Sequence, residues 1–154
     1  MSPFDARHCI TVSGSTLRFT ESSTMVPMRR EIERLLKQAD RDLENARKNL
    51  SIEAYEVAAF LAQQAVEKYL KGVWVVLKSQ PAPHTHSLTE LGDGLDVPGE
   101  LRRHLADLTP DYTVSRYPDA ANAVPYELYD DTTARTKVQN AEEVIAWLRS
   151  RIPN

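Results

Sequence analysis

Residues 52–77 constrain the fold most, because they are apolar around most of a helical circumference. With successive residues about 100° apart on a helix, their polar side chains occupy a stripe only about 140° wide. This stripe consists of Gln63, Gln64, Glu67, Lys68 and Lys71. Such a helix has to be covered on several sides, so we predict that it lies at the centre of the fold, against neighbouring helices or a second subunit. Ser51 is its predicted N-cap.

Amphipathic helices are predicted on both sides of this central segment. Apolar residues recur at alternating spacings of four and three, which is typical of a helix with one buried face. They are Ile32, Leu36, Ala39, Leu43, Ala46 and Leu50 in the first helix, and Ala134, Val138, Ala141, Ile145, Leu148 and Ile152 in the last. A capping box, Ser87-Leu88-Thr89-Glu90, opens a short third helix, and another runs from Pro98 to about Leu108. With a structured loop over residues 109–125, these elements predict an all-α, up-and-down bundle of four to five helices.

The first 24 residues differ from the rest because they carry no sustained apolar period. Alternation at residues 10–12 and 17–19 is compatible with a small hairpin around Ser13-Gly14-Ser15. We favour an irregular or mobile extension, or an over-long gene start ahead of Met25 or Met28. The predicted division is therefore an N-terminal extension over 1–24 and a helical domain over 25–154.

Composition limits the class of protein. The hydrophobic fraction of 42%, the charged fraction of 27% and the net charge of −3 are ordinary for a globular domain and argue against bulk affinity for nucleic acid. Cys9 is the single cysteine, which excludes an intrachain disulfide framework and suits a reducing compartment. No apolar run reaches the roughly 18 residues that span a bilayer. We therefore expect a cytoplasmic protein that does not bind membranes.

His84 and His86 precede the third helix and are open to three interpretations. Side chains two residues apart in an extended segment point the same way and can share a metal ion, but no third ligand has a suggestive spacing. They can instead bind a phosphate at the start of the Ser87 helix, where free N–H groups favour anions. In the third interpretation, one histidine fixes the loop by bonding to the backbone or to an acidic neighbour. We predict no metal site and no cofactor.

Arg116-Tyr117-Pro118-Asp119 is a second candidate segment. Arg116 and Asp119 can form a local ion pair or turn. Alternatively, Arg116 binds a phosphate while Tyr112 or Tyr117 stacks on a base. Lys68 and Lys71 of the central helix would enlarge the positive patch, unless they only pair with Glu67 on a solvated face. The predicted ligand-binding residues are His84, His86, Tyr112, Arg116, Tyr117, Lys68 and Lys71.

Three strings give the chain a family resemblance: AFLAQQAVEKYLKG at residues 59–72, HTHSL at 84–88 and YTVSRYPD at 112–119. Together they resemble the HEPN domain family over about Met28 to Ile152. Helical periodicity explains the apolar positions in these strings but neither the glutamine pair nor the histidines. The resemblance implies a compact bundle of about five helices, usually a homodimer. It also implies a frequent minimal nucleotidyltransferase partner in two-gene toxin–antitoxin systems, and metal-independent ribonuclease activity in many members.

The ribonuclease motif of that family is an Arg followed, after four to six residues, by a His, so that both reach one phosphate. This chain lacks it. The three positions where an Arg would have to precede His104 hold Val97, Pro98 and Gly99, and none of those before His84 or His86 is Arg either. Lys78 has a similar spacing before His84 but lacks the guanidinium fork. The resemblance therefore leaves the enzymatic activity open, with no catalytic residue assigned.

Three functions follow as hypotheses. In the first, a HEPN-like protein binds nucleotide or RNA phosphate and works with a nucleotidyltransferase in a toxin–antitoxin-like system. In the second, it is a ribonuclease toxin with a non-standard pair drawn from His84, His86 and Arg116. In the third, it is a non-catalytic helical dimerisation module. We also predict that His84, His86 and Arg116 converge on one groove, and that the central helix supplies a homodimer interface.

Overall fold

The computed structural model describes residues 7–12, 15–20 and 25–154, with side-chain surroundings given from residue 28 onward. Two antiparallel strands, β1 (Arg7–Val12) and β2 (Ser15–Thr20), pair in the register Arg7 opposite Thr20 through Val12 opposite Ser15. The hairpin that the alternation allowed is thus present at these twelve residues, where we had favoured an irregular extension. The domain boundary after residue 24 stays a prediction.

The rest of the described chain is helical and consists of three long helices, two shorter ones and three single turns. They are α1 (Met25–Ser51), α2 (Tyr55–Lys78), α3 (Leu88–Gly94), α4 (Gly99–Leu108), α5 (Asp111–Val114), α6 (Pro118–Ala121), α7 (Pro125–Leu128) and α8 (Asp131–Ser150). The predicted all-α bundle is confirmed. Among the described residues, no helix combines the length and apolarity needed to cross a bilayer.

The turn between α1 and α2 corrects the predicted start of the central helix. We placed Ser51 as its N-cap, but Ser51 ends α1 and its hydroxyl donates to the Lys48 carbonyl at 2.6 Å. Glu53 has a φ of 62°, in the left-handed region. The N–H groups of Glu53 and Ala54 bond back to the carbonyls of Leu50 and Asn49, as in a Schellman motif. This motif ends one helix before the next begins at Tyr55.

α2 lies at the centre of the bundle, as its apolar surface predicted. It packs against α1, α8, α3, α5 and α7. Small residues allow these helices to approach closely. A Cβ added at Gly72 would lie 2.8 Å from Cδ2 of Leu36 in α1. The fully buried small residues of α2 are Ala58, Ala59, Ala62 and Ala65.

Two further glycines set the position of α3. A Cβ at Gly92 would lie 2.3 Å from Cδ1 of Leu105, which is fully buried on α4. A Cβ at Gly94 would lie 2.0 Å from Cζ3 of Trp74, so the indole ring packs directly on the backbone there. Because these contacts leave no room for a side chain, α3 is held close to both α2 and α4.

Residues 109–125, predicted as a structured loop, contain the single turns α5 and α6, and α7 begins at Pro125. Asp111, almost fully buried, fastens this segment to the bundle. Its carboxylate accepts a hydrogen bond from Tyr129 Oη at 2.6 Å and lies 3.0 Å from Lys137 Nζ of α8. Burial raises the pKa of the Asp111 carboxyl, and the Tyr129 and Lys137 contacts only partly oppose this. Tyr112 and Arg116 therefore stand on an anchored segment.

Candidate functional site

A buried polar group on α2 is the basis of the candidate site. Gln63 is fully buried, and its amide donates to Glu67 Oε2 at 3.0 Å and to the His86 carbonyl at 3.3 Å. Its own oxygen accepts from Gln64 Nε2 at 2.8 Å. Buried amides are costly unless they are bonded, and here the bonds tie α2 to the loop before α3. The glutamine pair thus has a structural role that periodicity did not explain.

Glu67 is the acceptor at the centre of the site and is only 7% exposed. Lys71 Nζ lies 2.8 Å from its Oε1, and His86 Nδ1 lies 3.1 Å from the same atom. Burial by itself would raise the pKa of Glu67, but the hydrogen bonds from Lys71, Gln63 and His86 outweigh burial and lower that pKa. The site therefore contains a fixed negative charge at its base.

His86 joins this carboxylate to the solvent. Its side chain is 52% exposed, and its ring stacks on Tyr112 with centroids 3.7 Å apart and planes 12° from parallel. When Nδ1 donates to Glu67, the second ring nitrogen, Nε2, is left as the atom available to a ligand. The interpretation in which one histidine fixes the loop by bonding to an acidic neighbour is therefore realised by His86 and Glu67.

Arg116 completes the group from the residues just after α5. Its Nε and one terminal nitrogen donate to the Tyr112 carbonyl at 2.8 and 2.5 Å. The guanidinium carbon lies 4.5 Å from the ring centres of Tyr112 and Phe60 and 5.0 Å from that of Tyr117, which is the range of cation–π attraction. The guanidinium of Arg116 bonds to the Tyr112 carbonyl and, within the described part of the chain, forms no ion pair with Asp119.

We call this set the Glu67 cluster, and define it as Gln63, Glu67, Lys71, His86, Tyr112 and Arg116. It brings together four of the seven residues predicted from the sequence, and Tyr117 adjoins it through Arg116. Lys68 instead pairs with Asp42 of α1 at 2.7 Å and donates to Gln64. Gln38 donates to the same Asp42 side chain, so Lys68 belongs to an α1–α2 contact. His84 is on the loop before α3 and has no hydrogen-bond partner for its ring within residues 28–154.

The start of α3 differs from what the phosphate hypothesis requires. The N–H groups of Ser87, Leu88 and Glu90 already donate to Thr85 Oγ1, Thr109 Oγ1 and Ser87 Oγ. Ser87 caps the helix as predicted, but these donors are not free for an anion. Across the described residues, no three His, Cys, Asp or Glu side chains gather in a metal-binding arrangement.

Sequence reasoning missed Gln63, Glu67 and Phe60 as members or neighbours of the site. Glu67 had been considered only as an ion-pair partner of the lysines on a solvated face. The width of the polar stripe on α2 could have identified Gln63 and Glu67. A helix that is packed on several sides has to bury part of such a stripe, so some of its polar residues are buried. Gln63 and Glu67 lie on that buried part.

Comparison with known proteins assigns the chain and its fold to a family. The model described as HEPN domain matches residues 32–151. TT1696 from Thermus thermophilus is 30% identical, with a TM-score of 0.71 over 79% of this chain and 98% of that one. ST0689, an archaeal HEPN homologue, is 34% identical with a TM-score of 0.69 over the same shares of the two chains.

A HEPN domain protein from Thermotoga maritima is 27% identical, with a TM-score of 0.59 over 76% of this chain and 95% of that one. No curated protein matches the chain. The protein belongs to the HEPN domain family, as the sequence motifs suggested.

Proposed function

We propose that the Glu67 cluster binds the phosphate and base of a nucleotide or of RNA. The observation that carries this proposal is the stack in which Arg116 and His86 both contact the ring of Tyr112. His86 and Arg116 can donate to phosphate oxygens, and the exposed ring of Tyr117 beside Arg116 offers a surface on which a base can stack.

The partners are also proposals. We infer a cytoplasmic HEPN protein that forms a homodimer and works with a minimal nucleotidyltransferase in a toxin–antitoxin-like pair. Family membership supports this inference, since the resemblance implies such partners. The nucleotide or RNA would then be either the effector or the target of the pair.

Titration tests the binding site. Wild-type protein is titrated with ATP, GTP and a short RNA, and we expect at least one to bind below millimolar concentration. Arg116→Ala should weaken that binding about ten-fold or more, since the terminal nitrogens of Arg116 have three N–H groups beyond those donated to Tyr112 and can bond two phosphate oxygens. Lys71→Ala should have a smaller effect, because Lys71 is already paired with Glu67.

Arg103→Ala is the matched control. Arg103 is exposed on α4, away from the Glu67 cluster, and its removal should leave affinity unchanged. If none of the three ligands binds below millimolar concentration, the site proposal fails and the dimerisation module becomes the better account.

One observation favours a second function. The bond between His86 Nδ1 and the buried Glu67 resembles the carboxylate–histidine pairs that orient a general base, with Nε2 presented outward. Together with Arg116, this supports a ribonuclease with a non-standard Arg/His pair. Cleavage of RNA by the purified protein, abolished by His86→Ala, would select this function, whereas binding without cleavage would select the first.

A further inference from the structure

Several exposed apolar side chains lie on α7, just before it, or on the helix against which it packs. Tyr126 is 63% exposed and Tyr117 is 53% exposed, and three aliphatic neighbours are also exposed. We call this the α7 surface, and define it as Val57, Tyr117, Val124, Tyr126 and Leu128. Large exposed apolar groups that cluster in this way mark interaction sites more often than scattered ones do.

The segment that carries four of these residues packs along the N-terminal half of α2, which carries the fifth, Val57. At one end, the guanidinium of Arg116 lies against the rings of Tyr117 and Phe60, one helical turn beyond Val57. At the other end, the Asp131 carboxylate lies close to the Tyr55 side chain at the start of α2, and this contact adds to the larger effect of Arg135 in lowering the pKa of Asp131. α7 packs against α2 between these two points.

Acidic side chains surround the α7 surface. Residues 117–134 contain four carboxylates, Asp119, Glu127, Asp130 and Asp131, and no Lys or Arg. Glu53 and Glu56 add negative charge at the start of α2. Among the four, Asp131 is paired, with Arg135 at 2.8 Å. Arg116, whose guanidinium lies against Tyr117, and Arg135, which pairs with Asp131, offset two of these six carboxylates, so the surroundings of the apolar side chains keep a net negative charge.

We propose that the α7 surface binds a protein segment whose apolar side chains are flanked by Lys or Arg. Charge complementarity selects this occupant, since positive groups would meet the acidic rim as the apolar side chains are buried. A second copy packed here by two-fold symmetry would bring the acidic rims together. The phosphates of a nucleic acid would be repelled by the carboxylates of residues 119–131, so a nucleic acid is the less suitable occupant.

Binding of two designed peptides, followed by fluorescence anisotropy with the full chain, tests this proposal. One peptide repeats Leu-Lys-Lys-Leu, and the other is the same peptide with Glu in place of Lys. We expect the Lys peptide to bind at least about ten times more tightly, with an affinity that falls as salt rises. Tyr126→Ser and Glu127→Lys should each weaken its binding about ten-fold.

Matched controls separate this surface from general attraction to an acidic protein. Glu33→Lys on α1 and Glu100→Lys on α4 each reverse an exposed charge outside the α7 surface, and neither should change the affinity. Both Tyr126 and Glu127 are exposed, so their variants should keep the circular dichroism of the wild type.

Equal binding of the two peptides, or equal loss in the control variants, would overturn the proposal. Conversion of a wild-type dimer to a monomer by Tyr126→Ser in sedimentation would also overturn it, since the occupant would then be a second copy. The surface would be assigned to nucleic acid instead if a short RNA displaced the Lys peptide and if Glu127→Lys raised the affinity for RNA but not for the peptide.

Discussion

Glu67 connects the chemistry of the site to the stability of the fold. It accepts hydrogen bonds from its own helix, through Gln63 and Lys71, and from His86 on the loop before α3. The hydrogen bonds from these donors lower the pKa of Glu67 in spite of its burial. The carboxylate therefore stays charged at neutral pH. The orientation of His86 therefore depends on a group that does not itself need to touch a ligand.

Glu67→Gln should destabilise the protein by about 1–3 kcal/mol at pH 7, the usual range when a buried partner of charged donors is altered. Glu33→Gln, at an exposed position on α1, is the control and should be near neutral. Because the folded state lowers the pKa of Glu67, the stabilisation is complete above the ordinary Glu value of about 4.3 and is lost as pH falls through the lower folded value.

Urea unfolding of both variants at pH 7 and at a series of lower pH values measures this. The gap between wild type and Glu67→Gln should shrink on acidification below the ordinary Glu value. A gap that stays constant or widens there would contradict the assigned role of the Glu67 charge.

The sequence supports part of this site and not the rest. His86, Tyr112 and Arg116 were identified because their types and local motifs suggest phosphate and base contacts. Their meeting at Glu67 was not predictable, because it depends on where the loop before α3 crosses α2. His84 illustrates the same limit: it sits two residues from His86 in the sequence, yet its ring joins no hydrogen bond in the described structure.

At the scale of elements, the presence of the long helices was more predictable than the residues at which they begin and end. Periodic spacing predicted α1, α2 and α8 because each buries a continuous apolar face. The start of α2 was missed because Glu53 adopts a left-handed conformation, for which a Gly would be the usual signal. The turns α5, α6 and α7 are too short for periodicity to reveal, and the buried Asp111 that fastens α5 depends on residues distant in sequence.

Gly92→Ala tests the close packing of α3 on α4. An added Cβ would lie 2.3 Å from Leu105 Cδ1, and Leu105 is fully buried and has little room to move. We expect a loss of about 1–3 kcal/mol, although Ala favours helix over Gly by about 1 kcal/mol. Thermal unfolding measures the change.

Gly99→Ala is the matched control, because a Cβ there meets nothing within 4 Å. It should be neutral or slightly stabilising. Equal destabilisation by both substitutions would mean that the space around Gly92 is not the cause.

At the scale of the whole molecule, α2 presents different surfaces at its two ends. Its N-terminal half adjoins the acidic α7 surface. Near its C-terminal end, Val75 and Val76 are half-buried and Leu77 is exposed. This second apolar area lies beside Lys78, and it is where we place the proposed homodimer interface.

Sedimentation of the full chain at micromolar concentration should detect a dimer. Leu77→Lys should weaken it about ten-fold or more, because the new charge would be desolvated at the interface. Ile52→Lys changes an even more exposed apolar residue, outside both helices, and should leave the dimer intact. A wild-type monomer at that concentration, or loss of the dimer in the Ile52 variant alone, would rule out this interface.

The packing of Trp74 against Gly94 gives the protein an intrinsic optical probe. The indole edge touches the backbone at the end of α3, and Lys78 Nζ lies 4.8 Å from the ring centre. α3 starts two residues after His86, so a shift of that helix alters the surroundings of the indole. Emission from Trp74, with Trp147 on α8 as the constant background, can therefore follow events at the Glu67 cluster without any added label.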